Sequence, residues 1–197
     1  MSQYLSKEFT VSFISENLTS ILVLSINVLT TISYYIIYSN PRLKKSFFNL
    51  PMLLQKMYVG LFVIPLFVAP FLNQAKFMDY NIYMLISGIV LAVLGAGFII
   101  FSFFKIGMIP SIKNKSGLST TGVYSVVRHP IYFGTIMTQI GLTLLNQSLI
   151  SLLFIPISIT LYYIMASIEE KDLINTFGAD YTAYQKIAQK KIIPYIL

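Results

Sequence analysis

The sequence of 197 residues contains no cysteine, no tryptophan and a single histidine, His129. The absence of cysteine excludes disulfides, thiolate metal ligands and thiol nucleophiles. One histidine also excludes a metal site built from several imidazoles, and we expect no metal. Charge is scarce, because Asp, Glu, Lys and Arg make up 11% of the residues, against about 25% in soluble domains. These deficits exclude disulfide scaffolds, thiol enzymes and ordinary water-soluble domains.

Apolar residues take the place of the missing charge. They form 56% of the sequence and recur in runs of about 20 residues, the length that crosses the hydrocarbon core of a bilayer. We therefore predict an all-α polytopic membrane protein, with about five transmembrane helices in a single domain over residues 1–197. The predicted spans are 18–38, 57–72, 82–104, 131–145 and 149–167.

Several of these spans carry signs of helix packing. Gly88, Ala92 and Ala96 recur every four residues, a spacing that lets a neighbouring backbone approach one helix face. The polar interruption 146–148 predicts a tight hairpin of the last two spans. Asn27 and Gln139, which are polar residues inside apolar runs, predict hydrogen bonds between helices.

The segment from residue 168 onward is amphipathic. Its apolar residues recur at helical spacing, at Leu173, Phe177, Tyr181, Tyr184 and Ala188. Such a pattern predicts a C-terminal helix that lies at the membrane surface. We expect Gly178 to interrupt this helix.

The net charge of +7 is distributed unevenly along the chain. Twelve of the 14 Lys and Arg residues lie in segments 39–56, 105–130 and 168–197, four in each. The positive-inside rule then predicts a cytosolic C-terminus and an external N-terminus. Basic residues confined to loops do not indicate a nucleic-acid partner. Because no targeting signal is present, we expect the prokaryotic inner membrane, with the endoplasmic reticulum as the alternative.

Residues 118–134 carry polar side chains directly into the fourth predicted span. This segment holds Tyr124, Arg128, the single histidine, and Pro130 in a position suited to the first helical turn. The start of a helix offers unpaired backbone amides to a carboxylate or a phosphate. The alternative is an interface belt, in which Arg128 snorkels and the tyrosines anchor at headgroup level.

Glu169 and Glu170 form a pair of acids at the end of the fifth predicted span. Anionic headgroups repel adjacent carboxylates, so the pair does not serve as a membrane anchor. It suits a cationic ligand. The alternative is a solvated helix segment whose acids interact with the helix dipole.

Together these segments resemble the isoprenylcysteine carboxyl methyltransferase family of integral membrane methyltransferases, which includes phospholipid methyltransferase relatives. The resemblance covers about 118–184, a third of the chain, and depends on the order and spacing of its motifs. They are Leu118-x-Thr120-x-Gly122-x-Tyr124, Arg128-His129-Pro130-x-Tyr132-x-Gly134, the hairpin, Glu169-Glu170 and Phe177-Gly178-x-x-Tyr181-x-x-Tyr184.

The resemblance implies a methyltransferase that binds S-adenosylmethionine within residues 116–184 and acts on a lipophilic acceptor from the membrane lipids. The cofactor contacts that carry over are Leu118, Ser119, Tyr124, His129, Pro130, Ile131, Tyr132 and Glu169. Arg128 and Glu170 are assigned to the catalytic centre, the latter as support for Glu169. Acids suit the cofactor's amine, basic groups suit its carboxylate, and tyrosine faces suit its sulfonium. We expect the acceptor to enter between the third, fourth and fifth spans.

Two positions depart from the prenylcysteine enzymes of this family. Met165 replaces an arginine thought to hold the substrate carboxylate, and Ser116 replaces a histidine. The acceptor then remains open among a phospholipid amine, an isoprenoid and a small thiol. Two other functions remain open, a membrane reductase of related architecture that uses NADPH and a non-catalytic membrane protein.

Overall fold

The computed structural model describes residues 2–106 and 118–194, with side chains for 11–105 and 118–194. Within these ranges the chain folds into seven α-helices and has no β-strand. They are α1 (Ser2–Ser39), α2 (Pro41–Phe48), α3 (Met52–Val68), α4 (Ile82–Ile106), α5 (Pro130–Asn146), α6 (Leu149–Phe177) and α7 (Ala179–Ile187). A 3-10 turn, Ala69–Phe71, extends α3. The predicted all-α architecture is confirmed.

Four of these helices are long and apolar enough to cross a membrane. The corresponding segments are Val11–Ser39, Met52–Phe71, Ile82–Lys105 and Leu149–Phe177. Their outer faces expose large apolar side chains such as Leu29, Val93 and Leu153, which water solvates poorly and lipid solvates well. The chain is therefore an integral membrane protein.

The fourth predicted span, 131–145, corresponds to α5, which differs from the other four. This helix has 17 residues, fewer than the about 20 that cross a bilayer. It packs against α3, α4 and α6 and buries Thr135, Thr138, Gln139 and Thr143. Protein rather than lipid surrounds much of α5, so it needs less apolar surface than its neighbours.

A glycine seam joins α4 to α5. A Cβ atom added to Gly88 would lie 2.7 Å from the Gly141 carbonyl oxygen, and one on Gly95 would lie 2.6 Å from that of Gly134. Ala92 also lies against Gly141. The predicted small-residue face is thus confirmed at Gly88 and Ala92. Gly95 takes the third place instead of Ala96, because a turn of 3.6 residues leads from 88 through 92 to 95.

The predicted hairpin of the last two spans is confirmed. Gln147 closes α5 in the left-handed conformation, with φ of 53°. The Ser148 hydroxyl then donates to the Pro70 carbonyl at 2.7 Å, and the Phe77 amide donates to the Gln147 carbonyl at 3.0 Å. The turn is therefore tied to the chain that leaves α3.

The helix after the hairpin is longer than predicted. It passes residue 167 without a break and ends at Phe177, where Gly178 adopts a φ of 52°. The interruption at Gly178 is confirmed. The apolar side chains of Leu173, Phe177, Tyr181 and Tyr184 form one cluster with residues 118–124, so this face of the tail packs on protein.

The two polar residues inside predicted spans behave differently. Asn27 donates from Nδ2 to the Phe62 carbonyl at 2.6 Å, joining α1 to α3, which confirms that prediction. Gln139 is fully buried, and its amide atoms have no hydrogen-bond partner among the described residues. The predicted hydrogen bond of Gln139 is therefore wrong, because no described polar group lies within reach of its amide.

Candidate functional site

A cavity of about 520 Å³ opens between two groups of helices. One wall comes from α1, α2 and α3, and the other from α4, α6, α7 and residues 118–135. Small-molecule sites have volumes of about 300–1,000 Å³. The predicted site residues that line the cavity are Leu118, Ser119, Tyr124, Arg128, His129, Pro130, Ile131, Tyr132 and Glu169. Ser116, at the start of the predicted cofactor-binding part 116–184, lies outside the described residues.

The loop before α5 brings polar groups to the cavity wall. Gly122, with φ of 69°, begins a 3-10 turn that ends at Ser125, and this turn places the Tyr124 ring inside. The Tyr184 hydroxyl holds the turn by donating to the Tyr124 carbonyl at 2.7 Å. His129 ends the loop as the residue before α5, and Pro130 begins the helix as predicted.

Glu169 presents its carboxylate to the cavity. The hydroxyls of Tyr34 and Tyr132 donate to its Oε1 atom at 2.9 Å and 2.5 Å. Its Oε2 atom lies 3.4 Å from Nδ1 of His129. Three groups from α1, α5 and the preceding loop therefore fix this carboxylate, which is a suitable partner for a cationic ligand.

Glu170 lies behind His129 and does not line the cavity. Its Oε1 atom accepts a hydrogen bond from Nε of Arg128 at 2.6 Å and lies 3.4 Å from Nε2 of His129. Lys191 approaches its Oε2 atom at 3.4 Å. The Glu170 carboxylate therefore orients Arg128 and His129 without lining the cavity itself. This geometry favours a supporting role for Glu170 over contact with a ligand.

Residues 188–193, which we call the C-terminal strap, bind the loop that precedes α5. The Arg128 amide donates to the Lys190 carbonyl at 3.0 Å, and the His129 amide donates to the Lys191 carbonyl at 2.9 Å. Nη1 of Arg128 donates to the carbonyls of Ala188 and Gln189 at 2.8 Å and 2.7 Å. The strap thus fixes both the backbone and the side chain of Arg128.

Aromatic rings surround Glu169. Tyr132 lies between His129 and Tyr162, with ring centroids 5.5 Å and 4.9 Å apart, and Tyr34 stacks on Tyr38 at 4.1 Å. Such faces attract cations. Neither Tyr34 nor Tyr38 was predicted to be a site residue. Their spacing of four residues places them on one face of the first span, and this was the only signal in the sequence.

Two tyrosines of the cavity wall have buried hydroxyls. Tyr124 and Tyr181 both line it, and neither hydroxyl has a hydrogen-bond partner among the described residues. Burial raises the pKa of both tyrosines, so each hydroxyl stays protonated and able to donate.

The cavity continues into an apolar end. Its walls there are Gly60, Ile64 and Phe67 of α3 and Ile99 and Phe103 of α4. Ile64 lines the cavity and is also 59% exposed on the outer surface, so the cavity reaches the surface between α3 and α4. Residues of the third, fourth and fifth predicted spans also line the cavity, among them Ile99, Thr135 and Tyr162, and entry of the acceptor between these spans stays a prediction.

The two acids beside His129 favour its protonated form. Burial of the ring by itself lowers the pKa of His129, but hydrogen bonds and charge from Glu169 and Glu170 outweigh burial and raise it above the ordinary 6.5. The native state therefore binds a proton that the unfolded state releases near neutral pH.

In the described ranges, no group of three His, Cys, Asp or Glu side chains is arranged to hold a metal ion.

Protonation of His129 makes stability depend on pH. A raised histidine pKa stabilises the fold fully below the unfolded value of about 6.5, and that contribution is lost as the pH rises through the folded value. We expect the melting temperature in detergent to fall between pH 6.5 and 9, and to fall less in His129→Gln. Tyrosine fluorescence during heating measures both. Equal slopes in the two proteins would show that His129 is not the titrating group.

Comparison with known proteins gives one match. Residues 83–180 match the model of the phospholipid methyltransferase family. No curated protein and no solved structure matches the chain. The matched range contains every predicted site residue from Leu118 to Glu170, whereas Tyr34 and Tyr38 lie outside it. It confirms the resemblance that the motifs indicated.

Proposed function

Because residues 83–180 belong to the phospholipid methyltransferase family, we propose that this membrane protein transfers a methyl group from S-adenosylmethionine to a lipophilic acceptor. The observation that carries the proposal is the cavity itself. At one end it holds Glu169, fixed by Tyr34, Tyr132 and His129. At the other end it is apolar and reaches the outer surface between α3 and α4. A soluble donor and an insoluble acceptor can meet there.

The residues present fit the cofactor. The Glu169 carboxylate suits its ammonium group. His129, Arg128 and the first-turn amides of α5 suit its carboxylate. The unpartnered hydroxyls of Tyr124 and Tyr181 suit its ribose or adenine. The bound cofactor supplies an electrophilic methyl group on a sulfonium, and the faces of Tyr34 and Tyr132 suit that positive charge.

The chain contributes to the reaction mainly by positioning. Displacement at a methyl group needs the acceptor in line behind it, and holding two reactants in that geometry lowers the barrier substantially. Glu169, held by two tyrosines, fixes one reactant, while the apolar end of the cavity orients the other. A thiolate or carboxylate acceptor needs no base, whereas an amine must first lose a proton. Glu169 and Asp172 are carboxylates in the cavity lining that could accept it.

Met165 favours an acceptor other than prenylcysteine. Its side chain is 3% exposed, lines the cavity and contacts the Thr31 hydroxyl through sulfur at 3.9 Å. A thioether cannot pair with a carboxylate at this point. Among the remaining acceptors we favour a phospholipid amine, in line with the family that the domain matches.

We also propose an orientation for the protein. Lys44 and Lys56 line the same cavity as Arg128, and segments 39–56, 105–130 and 168–197 hold twelve of the 14 basic residues. The positive-inside rule places this end of the bundle in the cytosol, where the cofactor is made. The N-terminus is then external, and we expect the prokaryotic inner membrane.

The test is methyl transfer in proteoliposomes with methyl-labelled S-adenosylmethionine. We expect label in the lipid fraction when the vesicles contain phosphatidylethanolamine, and none when phosphatidylglycerol, which has no amine, is the only lipid. If the protein binds S-adenosylhomocysteine but labels neither lipid, a phospholipid amine is not the acceptor. Isoprenoid and thiol acceptors would then be tested. A folded protein that does not bind S-adenosylhomocysteine would refute the methyltransferase proposal itself.

A further inference from the structure

A second charged pair lies in the cavity, and its lysine is outside the range matched by the family. Lys44 of α2 forms a salt bridge with Asp172 of α6, and its ammonium lies 4.9 Å from the centre of the Tyr38 ring. Both members of the pair line the cavity. Their side chains are 19% and 32% exposed, so the pair lies where the cavity meets the surroundings.

The cavity lining contains a second lysine besides this pair. Lys56, at the start of α3, also lines the cavity, and it forms no salt bridge in the part of the chain that the structure describes. The cavity lining therefore contains a lysine that is not in a salt bridge, besides the one paired with Asp172. An anion that enters the cavity can pair with this second cation, which a single neutralised salt bridge would not provide.

The position of the pair suits a ligand that also reaches the cofactor end. Asp172 follows Glu169 by three residues on α6, which is about 4.5 Å along the helix axis at 1.5 Å per residue. Beside it the lining is apolar, with Phe47 and Phe48 of α2 and Val63 of α3. A ligand with an anionic group at Lys44 can therefore place its neighbouring atoms near Glu169 and its chain in the apolar end.

We propose that Lys44, assisted by Lys56, binds an oxyanion of the methyl acceptor, and that Asp172 holds Lys44 until the anion replaces it. The inference rests on the proposed function and narrows its substrate to amphiphiles with a phosphodiester, phosphate or carboxylate group. The exchange is feasible because lysine is flexible and Asp172, being about one-third exposed, is hydrated when Lys44 leaves. A charged hydrogen bond to the anion then replaces the salt bridge.

The test measures binding of dodecyl phosphate to the full-length protein in maltoside detergent by calorimetry. Lys44→Met is expected to weaken binding by about tenfold or more, the effect of losing one charged hydrogen bond. Asp172→Asn is expected to tighten binding several-fold, because it removes the competitor for Lys44. Lys45→Met, on the same helix but outside the cavity lining, is the matched control and is expected to bind like the wild type.

The opposite effects of Lys44→Met and Asp172→Asn on binding distinguish recognition of an anion from a purely structural salt bridge. Both variants break the same salt bridge, so a merely structural pair would make both variants bind less tightly or leave both unchanged, and either result would overturn the proposal. Equal affinity for inorganic phosphate and dodecyl phosphate would also overturn it, since the site would then bind a free anion. Because these measurements involve no methyl transfer, they can fail while the proposed function stands, and the reverse is also true.

Discussion

Glu169→Gln is expected to weaken the binding of S-adenosylhomocysteine by about 10- to 100-fold, or about 1.5–3 kcal/mol for a lost charged hydrogen bond. The amide oxygen can still accept hydrogen bonds from Tyr34 and Tyr132, which hold the wild-type carboxylate at 2.9 Å and 2.5 Å. The substitution therefore removes the negative charge but preserves the local packing. Calorimetric titration of the detergent-purified protein measures the change.

Asp180→Asn provides the control for this measurement. It changes the net charge by the same amount, and Asp180 is an exposed residue outside the cavity lining. Wild-type affinity in Asp180→Asn, with the loss confined to Glu169→Gln, would locate the effect in the cavity. If Glu169→Gln bound like the wild type, Glu169 would not be the partner of the cofactor's ammonium group.

Gly141→Ala is expected to produce the largest loss of stability. Its new Cβ atom would lie 2.6 Å from the Gly88 carbonyl oxygen, and the contact is with backbone that no side-chain rotation relieves. Overpacking of this kind costs about 1–3 kcal/mol and sometimes more. We expect a lower melting temperature and partial aggregation on size-exclusion chromatography in detergent.

Gly97→Ala is the matched comparison on α4. A Cβ atom at Gly97 meets nothing within 4 Å, and alanine in a helix is more stable than glycine by about 0.5–1 kcal/mol. The two substitutions should therefore have opposite signs. A similar loss in both variants would mean that α4 and α5 do not pack through the glycine seam.

The sequence predicted the architecture well because the relevant signal is local. A continuous apolar run indicates each membrane helix. Gly178 indicates a helix end, because glycine readily adopts positive φ. The predicted spans nevertheless stopped short. Polar residues after 167 ended the predicted fifth span, but α6 continues to Phe177. Helical hydrogen bonds continue through polar residues, and Leu173 and Phe177 pack on residues 118–124.

The site residues, too, could be predicted only where the signal in the sequence is local. Motifs within 118–170 identified every cavity residue of the matched range that contacts Glu169. Tyr34 and Lys44 were missed, because their contacts with Glu169 and Asp172 join residues more than 100 positions apart and no local pattern marks them. Two neighbouring glutamates look alike in a sequence. Only the structure shows that Glu169 faces the cavity and Glu170 faces Arg128 and the strap.

The C-terminal strap makes assembly of the cavity a late event in synthesis. Residues 188–193 are translated after all four long apolar helices, and the carbonyls of Lys190 and Lys191 hold the amides of Arg128 and His129. The four long apolar segments all end before residue 188, so the contacts that fix the loop bearing His129 come from a part of the chain that spans no membrane. Loss of residues 188–193 would therefore leave every apolar segment in place and remove the carbonyls that hold Arg128 and His129.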